Sequence, residues 1–459
     1  MESLQSMHTQ FDGASSSPPI DIVIGFDFGT SSTRVVMRSP FIQGGRAQAV
    51  DWGRLGHKDN PHFLPTRPYF DQNGQLNLVS IPSGAHFPAL KMKVIDEVKG
   101  NRSSRSSEMT HTHSELAVGY IGQALRIARM WFISTQQKIY GTRSIRWHLN
   151  LGIPSTGHSD DDVRKHFLKL AHAAWEISVH HECPTLNICL EALEKADTSI
   201  ALPEIDNSRI HVIPEISAQV IGYSKSTSRK NGLHLLIDVG AGTTDICCFN
   251  LFGDEHGMLA SSVERLGVYE LHTVRINEMR NRIEQWLKSY GSQEDPLHPL
   301  PVEVVDYFPT KKDNGLALPF AGDEQFKNEI MRTINKVLHY VRKRRYPNAP
   351  EWKSGITTFL TGGGSHVQVY RNARDEVNDW WQRNARVFGL KRHELEVPSN
   401  LVMDKTSKAD YHRFSVAYGL SHTIDELGTI IPECDIRDVS PEAEPVKYDT
   451  AEFVSKDQV

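Results

Sequence analysis

Cysteine is scarce in this 459-residue chain, and the few present follow no pattern. Cys183, Cys189, Cys247, Cys248 and Cys434 are odd in number and lack metal-ligand spacing. That argues against a disulfide framework and against a structural zinc site. Reduced thiols in a reducing compartment are expected, with Cys247 and Cys248 on opposite faces of one strand. A dominant charge is lacking too. The net charge is −5 with both signs interspersed, which leaves no basic face for nucleic acid. No apolar run of about eighteen residues offers a membrane span, so no membrane association is expected. The Ser-rich segment Met1 to Pro19 has no apolar core and is not a secretory signal. Residues 1–20 read as a disordered tail, and a cytoplasmic location follows.

What the chain does contain is a pair of similar turns. In Leu235–Ile246 an apolar run ends in Asp238, a turn with Gly240, Ala241 and Gly242 follows, and Thr243, Thr244 and Asp245 lead into a second apolar run. Such a β-hairpin offers backbone N–H groups and hydroxyls to an anion and a carboxylate to a metal. Gly240 and Gly242 permit positive φ and a close approach of backbone to phosphate. Much earlier, Ile22–Val36 repeats the plan with Asp27, Gly29, Thr30 and Ser31. A third element, Ile356–Ser365, is an apolar strand running into Gly362, Gly363, Gly364 and Ser365 before a helix-compatible segment. A flat or anionic ligand can lie on such a turn at a helix N-terminus. One Asp-x-Gly turn is common chemistry for any hairpin. Three such elements together point to two halves closing on one polyphosphate.

Periodicity and chain breakers organise the remainder. A β-rich portion runs from Asp21 to about Val94. Glu97 to Ser114 is a polar insertion, read as a loop, whose His111 and His113 do not by themselves make a metal site. Helices are expected over Gly119–Tyr140, Asp160–Ile177, Tyr269–Tyr290, Glu324–Arg345 and Asp375–Phe388, with a strand over Trp147–Ile153. In the last of these helices Trp380 and Trp381 read as core plus edge. No internal repeat is evident.

The order Asp27–Gly29–Thr30–Ser31, Asp238–Gly240–Gly242–Thr243–Asp245, Gly362–Gly363–Gly364–Ser365 resembles the actin-like ATPase superfamily. Its DnaK-type heat-shock protein 70 branch is the nearest. Leu151–Ser155 followed by an Ala-rich helix resembles that branch, and so do two connecting helices, Ile213–Tyr223 and Ser415–Leu420. Gly267, in Leu266–Leu271, sits where that branch has a glycine pair followed by an acidic residue. The resemblance implies an α/β, two-lobed actin-like fold of two ribonuclease H-like halves with a nucleotide cleft between them. It implies lobe I over 21–225, lobe II over 226–409, a second connecting helix over 410–429 returning to lobe I, and an acidic flexible tail over 430–459. That tail is rich in Glu, Asp and Pro and is not expected to form the peptide-binding module of the chaperones.

The implied cofactors are ATP or ADP with Mg²⁺. Asp27 and Asp238 would hold the ion largely through its water shell. Thr30, Ser31, Gly240, Ala241, Gly242 and Thr243 would grip the phosphates. Glu215 and Asp245 are candidates to orient or deprotonate the attacking water. Phe87–Val94 resembles the strand that carries the catalytic Lys in the chaperones. Lys91 and Lys93 share a face of such a strand, and Lys91 is preferred. The basic residues Arg342–Arg345, or Lys327, are candidates for the adenosine end.

Three functions compete. A slow ATP hydrolase would act as a chaperone-like switch read by an unidentified protein partner. An actin-type ATPase would self-associate into filaments. A small-molecule kinase is suggested by Gly29–Arg34, which also resembles the first phosphate loop of glycerol-type sugar kinases.

Overall fold

The computed structural model describes residues 18–439, apart from 59, 82–84, 101–110, 141–142, 155–160, 197–200, 281–319, 386–387 and 405. The tail expected over 1–20 is thus described only at its end. Most of the polar insertion, the second half of the helix expected to reach Tyr290, and residues 440–459 lie outside the described residues.

The first lobe opens with β1 (Ile20–Asp27), β2 (Ser32–Arg38), β3 (Ala47–Ala49) and β4 (Leu64–Pro65). A small sheet of β5 (Tyr69–Phe70), β6 (Leu76–Asn77) and β7 (Ala85–His86) follows, then helices α1 (Leu90–Val98) and α2 (His113–Tyr140). Strand β8 (Ile145–Ile153), helices α3 (Asp161–His180) and α4 (Leu186–Lys195), strand β9 (Ile210–Pro214) and helix α5 (Glu215–Ser224) complete it. Asp161 and Asp162 lie in the first turn of α3, where carboxylates suit the helix dipole. Thr185 caps α4 by accepting from the Ile188 amide.

The second lobe runs through β10 (Gly232–Val239), β11 (Thr244–Phe252), β12 (Glu255–Glu264), α6 (Val268–Arg280) and α7 (Ala321–Tyr340). It continues with β13 (Ile356–Thr361), α8 (Gln368–Asn384) and β14 (Leu390–Arg392). The chain then forms β15 (Leu401–Val402), α9 (Ser415–Leu420) and β16 (Thr429–Ile431).

The two sheets share one plan. In the first, β3, β2 and β1 are antiparallel neighbours, and β8 and β9 continue from β1 in parallel. In the second, β12, β11 and β10 are antiparallel neighbours, and β13 and β14 continue from β10 in parallel. Each is the mixed sheet of a ribonuclease H-like lobe, a likeness that the sequence does not show as a repeat.

Each lobe buries its own core. Helices α2 and α3 cover the first sheet through Tyr120, Leu125, Phe132, Phe167, Leu170 and Trp175. Helices α7 and α8 cover the second through Phe326, Ile330, Ile334, Tyr370 and Trp381. Trp381 is buried and Trp380 is 41% exposed, as core plus edge requires. Cys248 faces this core while Cys247 packs on the opposite face of β11, and all five cysteines are free. Between the lobes, α5 packs Ile216, Val220 and Tyr223 on Leu236, Phe249 and Phe359 of the second sheet. Its other side, Ala218 and Ile221, meets Val416 and Leu420 of α9. A side chain at Gly419 would collide with the Ala218 backbone, so the two connecting helices touch main chain to main chain.

Four expectations need correction. Leu90–Val98 is a helix, not a strand. The alternation Lys-Met-Lys-Val reads as a strand, but Leu90 and Val94 are one helical turn apart and both buried. Lobe II also ends before 409, because β15 already pairs with β3 in the first sheet. The last described residues are not a loose tail: β16 pairs in parallel with β12, and Glu433 accepts from the amide and hydroxyl of Ser261. Asp438 then meets Arg345 at 3.1 Å and Tyr340 Oη at 3.0 Å. Finally, Gly240 and Gly242 do not have positive φ; in the site it is Gly362, at φ 80°, that does. Among the described residues, no helix is long and apolar enough to cross a membrane.

Candidate active site

The tips of the two hairpins face each other across a cavity of about 450 Å³. Strand β1 delivers Asp27 and β10 delivers Asp238, each at the C-terminal end where the apolar run stops. Both cross-strand partners also face the site. Asp27 lies opposite Arg34 in the antiparallel register, and Asp238 lies opposite Asp245. Arg34 Nη1 is 3.0 Å from Asp27 Oδ2. Asp238 and Asp245 form a like-charged pair, which costs stability in a sheet.

Asp27 and Asp245 are buried and Asp238 is half-buried, and desolvation dominates the chemistry of all three. It pushes Asp27 up to about 6, with Arg34 pulling the other way and Glu215 adding to the rise. Asp238 also rises to about 6, helped by Glu215 and Asp27. Asp245 rises to about 7, helped by Asp238 and Glu215. Thr361 Oγ1 donates to Asp238 Oδ1 at 3.4 Å, and Gln219 Nε2 donates to Thr361 Oγ1 at 2.8 Å. This relay ties α5 to the second hairpin. Asp245 Oδ1 is buried with no hydrogen bond among the described residues, and Asp27 Oδ2 has only its ion pair with Arg34. Such oxygens suit a cation and its water shell. Among the described residues no three acidic, His or Cys side chains converge closely enough to ligate a metal directly.

The floor of the cavity is an ion pair between Lys91 of α1 and Glu215 at the start of α5, both largely buried. Because the segment is helical, Lys93 is turned about 200° from Lys91 and does not line the cavity.

The tip of the second hairpin is braced from behind. Gly240 N–H donates to Thr243 O at 2.8 Å, Val268 N–H to Gly240 O at 3.1 Å and Tyr269 N–H to Ala241 O at 2.9 Å. Gly267 is the glycine this packing requires, since a Cβ there would strike the Ala241 carbonyl. The first loop is held by Gly29 N–H to Asp27 O at 3.1 Å and Thr66 N–H to Ser31 O at 2.9 Å. In the third element Gly364 N–H donates to Val239 O at 2.9 Å. That bond seats the glycine turn on the end of β10.

The cavity wall therefore contains Asp27, Gly29, Thr30, Ser31, Lys91, Glu215, Asp238, Gly240, Ala241, Thr243 and Asp245, with Gly362, Gly363 and Gly364. Gly242, Gly267 and Ser365 do not line it. A Cβ on Gly242 would instead press on Met92 and Thr30. Nor do Lys327 and the Arg342–Arg345 cluster line it. Lys327 pairs with Glu324 and Glu376, Arg342 lies over Trp352 and Trp381, and Arg345 holds Asp438.

Sequence reasoning missed Arg34, His366, Asp410 and Arg413, all of which line the cavity. Arg34 carried a signal, since an antiparallel hairpin places it opposite Asp27. Arg413 and Asp410 carried none, because only the return of the chain to lobe I brings them there. A smaller cavity of about 230 Å³ lies beyond the ion pair. It shares Thr30, Lys91, Glu215, Thr243 and Asp245 with the first and is bounded by Met92, Ile95, Pro154, Val163 and Val263. In comparisons with known proteins, no family model matches the chain and no curated protein matches it in sequence.

Proposed function

We propose that this chain is an ATP-binding, Mg²⁺-dependent ATPase of the actin-like superfamily, nearest its heat-shock protein 70 branch. It would work as a nucleotide switch in the reducing interior of a cell, where an unidentified protein partner reads the opening and closing of its lobes. The observation that carries this reading is the meeting of Asp27, Asp238 and Asp245 with the Lys91–Glu215 pair in one cleft. The tips of two like hairpins and a glycine turn surround them.

Phosphoryl transfer to water needs charge neutralisation and a positioned nucleophile, and little covalent work by protein. Asp27 and Asp238 would hold Mg²⁺ through its waters, and the bound ion would supply neutralisation of the phosphate charge. The bare backbone of Gly240, Ala241 and the glycine turn, with the Thr30, Ser31 and Thr243 hydroxyls, would bind the phosphates. Lys91 would stabilise charge that develops on the transferred group. Glu215, held by Lys91, would orient the attacking water, and Asp245 has a free oxygen that can accept its proton. Lobes joined through two crossed helices can hold different angles with ATP and ADP.

The deciding experiment is ATP turnover by the purified full chain with simultaneous light scattering. Slow, Mg²⁺-dependent hydrolysis by a dispersed protein supports the switch, ATP-dependent scattering supports a filament, and absence of nucleotide binding overturns the reading. A small-molecule kinase is the second reading, favoured by the cavity beyond the Lys91–Glu215 pair. Its sign is turnover only when a hydroxyl-bearing acceptor such as glycerol is added.

A further inference from the structure

We propose that Arg413 is an anion-binding residue of the cleft, reaching from lobe I to the glycine turn of lobe II to grip a phosphate of the bound nucleotide. The proposal rests on the reading of the cleft as a nucleotide site.

Arg413 precedes α9, and its side chain lines the main cavity. Its guanidinium lies 3.8 Å over the ring of Phe63. Phe63 is in turn stacked on Phe414 at 5.0 Å between centroids. This platform fixes the plane of the guanidinium without satisfying its N–H groups. Among the described residues it makes no hydrogen bond and no ion pair. Arg34 stands nearby, donating through Nη1 to the Arg413 carbonyl at 2.9 Å. Burial, then the Arg34 charge, pull Arg413 down to about 10, with Asp410 opposing. Two guanidiniums thus share this wall: Asp27 is paired with Arg34, and Asp410 acts on Arg413 through charge alone, with no ion pair between them among the described residues. A half-buried cation without an acceptor is costly, and the cavity is where an acceptor can come from.

The contact runs across the cleft. A Cβ on Gly363 would lie 3.7 Å from Arg413 Nε, and the rings of His412 and His366 are 4.6 Å apart. The anion that Arg413 holds therefore also lies against the turn of the opposite lobe. The planar fork of an arginine matches phosphate oxygens in a way that a lysine does not.

The test measures dissociation constants for the full chain by calorimetry with ATP, adenosine and sodium tripolyphosphate. Arg413→Met keeps an apolar stem on Phe63 and removes the charge. It should weaken ATP and tripolyphosphate about tenfold or more, the worth of a charge-assisted hydrogen bond, and leave adenosine unchanged. Arg413→Lys should recover part of the loss. Asp410→Asn removes the neighbouring negative charge and should tighten tripolyphosphate; it carries the test if Arg413→Met fails to fold by circular dichroism. Wild-type affinity in Arg413→Met, or no gain in Asp410→Asn, overturns the assignment while leaving the nucleotide site standing. Tripolyphosphate binding that depends on Arg413, in a wild-type protein that ignores nucleotides, keeps the arginine and overturns the nucleotide reading. Failure of the wild type to bind either overturns both.

Discussion

Lys91 and Glu215 meet in the floor of the cleft although they come from different faces of lobe I, one from α1 and the other from the start of α5. Lys91→Met should lower kcat about 100-fold, the scale for losing one electrostatic contact made in the transition state. Nucleotide affinity should change far less. Single-turnover hydrolysis beside equilibrium nucleotide binding separates the two. Equal losses in both would make Lys91 a ground-state binding residue.

Asp238→Asn should weaken Mg²⁺ dependence about 10- to 100-fold, as outer-sphere metal partners do, and excess Mg²⁺ should recover part of the turnover. The fold should survive, since Asn keeps the acceptor for Thr361 and relieves the repulsion with Asp245. A Mg²⁺ titration of ATPase activity beside thermal melting checks both. An unchanged titration would remove the second hairpin from the site.

The glycine turn offers a sharper pair. A Cβ on Gly364 would run into Val239 and Val268, whereas a Cβ on Gly363 meets only Arg413 at 3.7 Å. Gly364→Ala should therefore lower the melting temperature, and Gly363→Val should fold normally and lose nucleotide affinity. Reversal of these phenotypes would mean that the ligand lies elsewhere along the turn.

Much of this was legible in the chain. Both hairpins announced themselves because an apolar run, an Asp, glycines and hydroxyls follow in the order that the backbone uses them. The connecting helices were legible only through the resemblance of Ile213–Tyr223 and Ser415–Leu420 to those of the chaperone branch. Helix α1 reads as a strand because Lys91–Val94 alternate, whereas its burial follows the longer repeat of Leu90 and Val94. Arg413 could not be read at all. Its meaning comes from Phe63 and Gly363, both of which lie far upstream of it in the sequence.

Arg38 and Glu426 supply the pH dependence. Burial would raise the Glu426 carboxyl, but the Arg38 guanidinium, bonded to its two oxygens at 2.5 and 2.8 Å, and the Thr423 amide bring it down to about 2. A carboxylate depressed in the folded state stabilises above its unfolded pKa and loses that contribution as pH falls through the folded one. The window here runs from about pH 4.5 down to about 2. Glu426→Gln should cost about 1 to 2 kcal/mol at neutral pH, less than the full shift because solvent screens this half-buried carboxylate, and the gap to wild type should close across that window. Urea unfolding at several pH values measures it; a gap that stays constant would refute the charge-based account.

Strand β16 covers the outer edge of β12. Truncation after residue 428 should bare that edge, release Ser261 from Glu433, and produce a less stable, association-prone protein. Truncation after 439 should leave stability and basal hydrolysis near wild type. Melting curves and light scattering of the two truncated proteins decide it, and identical behaviour would show that the strap contributes nothing.

The paired hairpins have one plan and opposite electrical characters. In lobe I the acid at the tip faces a base, Arg34, so that jaw is neutralised from within. In lobe II the acid faces another acid, Asp245, so that jaw has negative charge to spare. Duplicated architecture has thus produced a donor jaw and an acceptor jaw. Under the proposed function, a divalent cation would be drawn to the acceptor jaw while the lobes are apart, and the arginine-bearing jaw would be better matched to the anion that follows. Loading of a cleft that works this way would have a direction, metal side first, which neither half possesses alone.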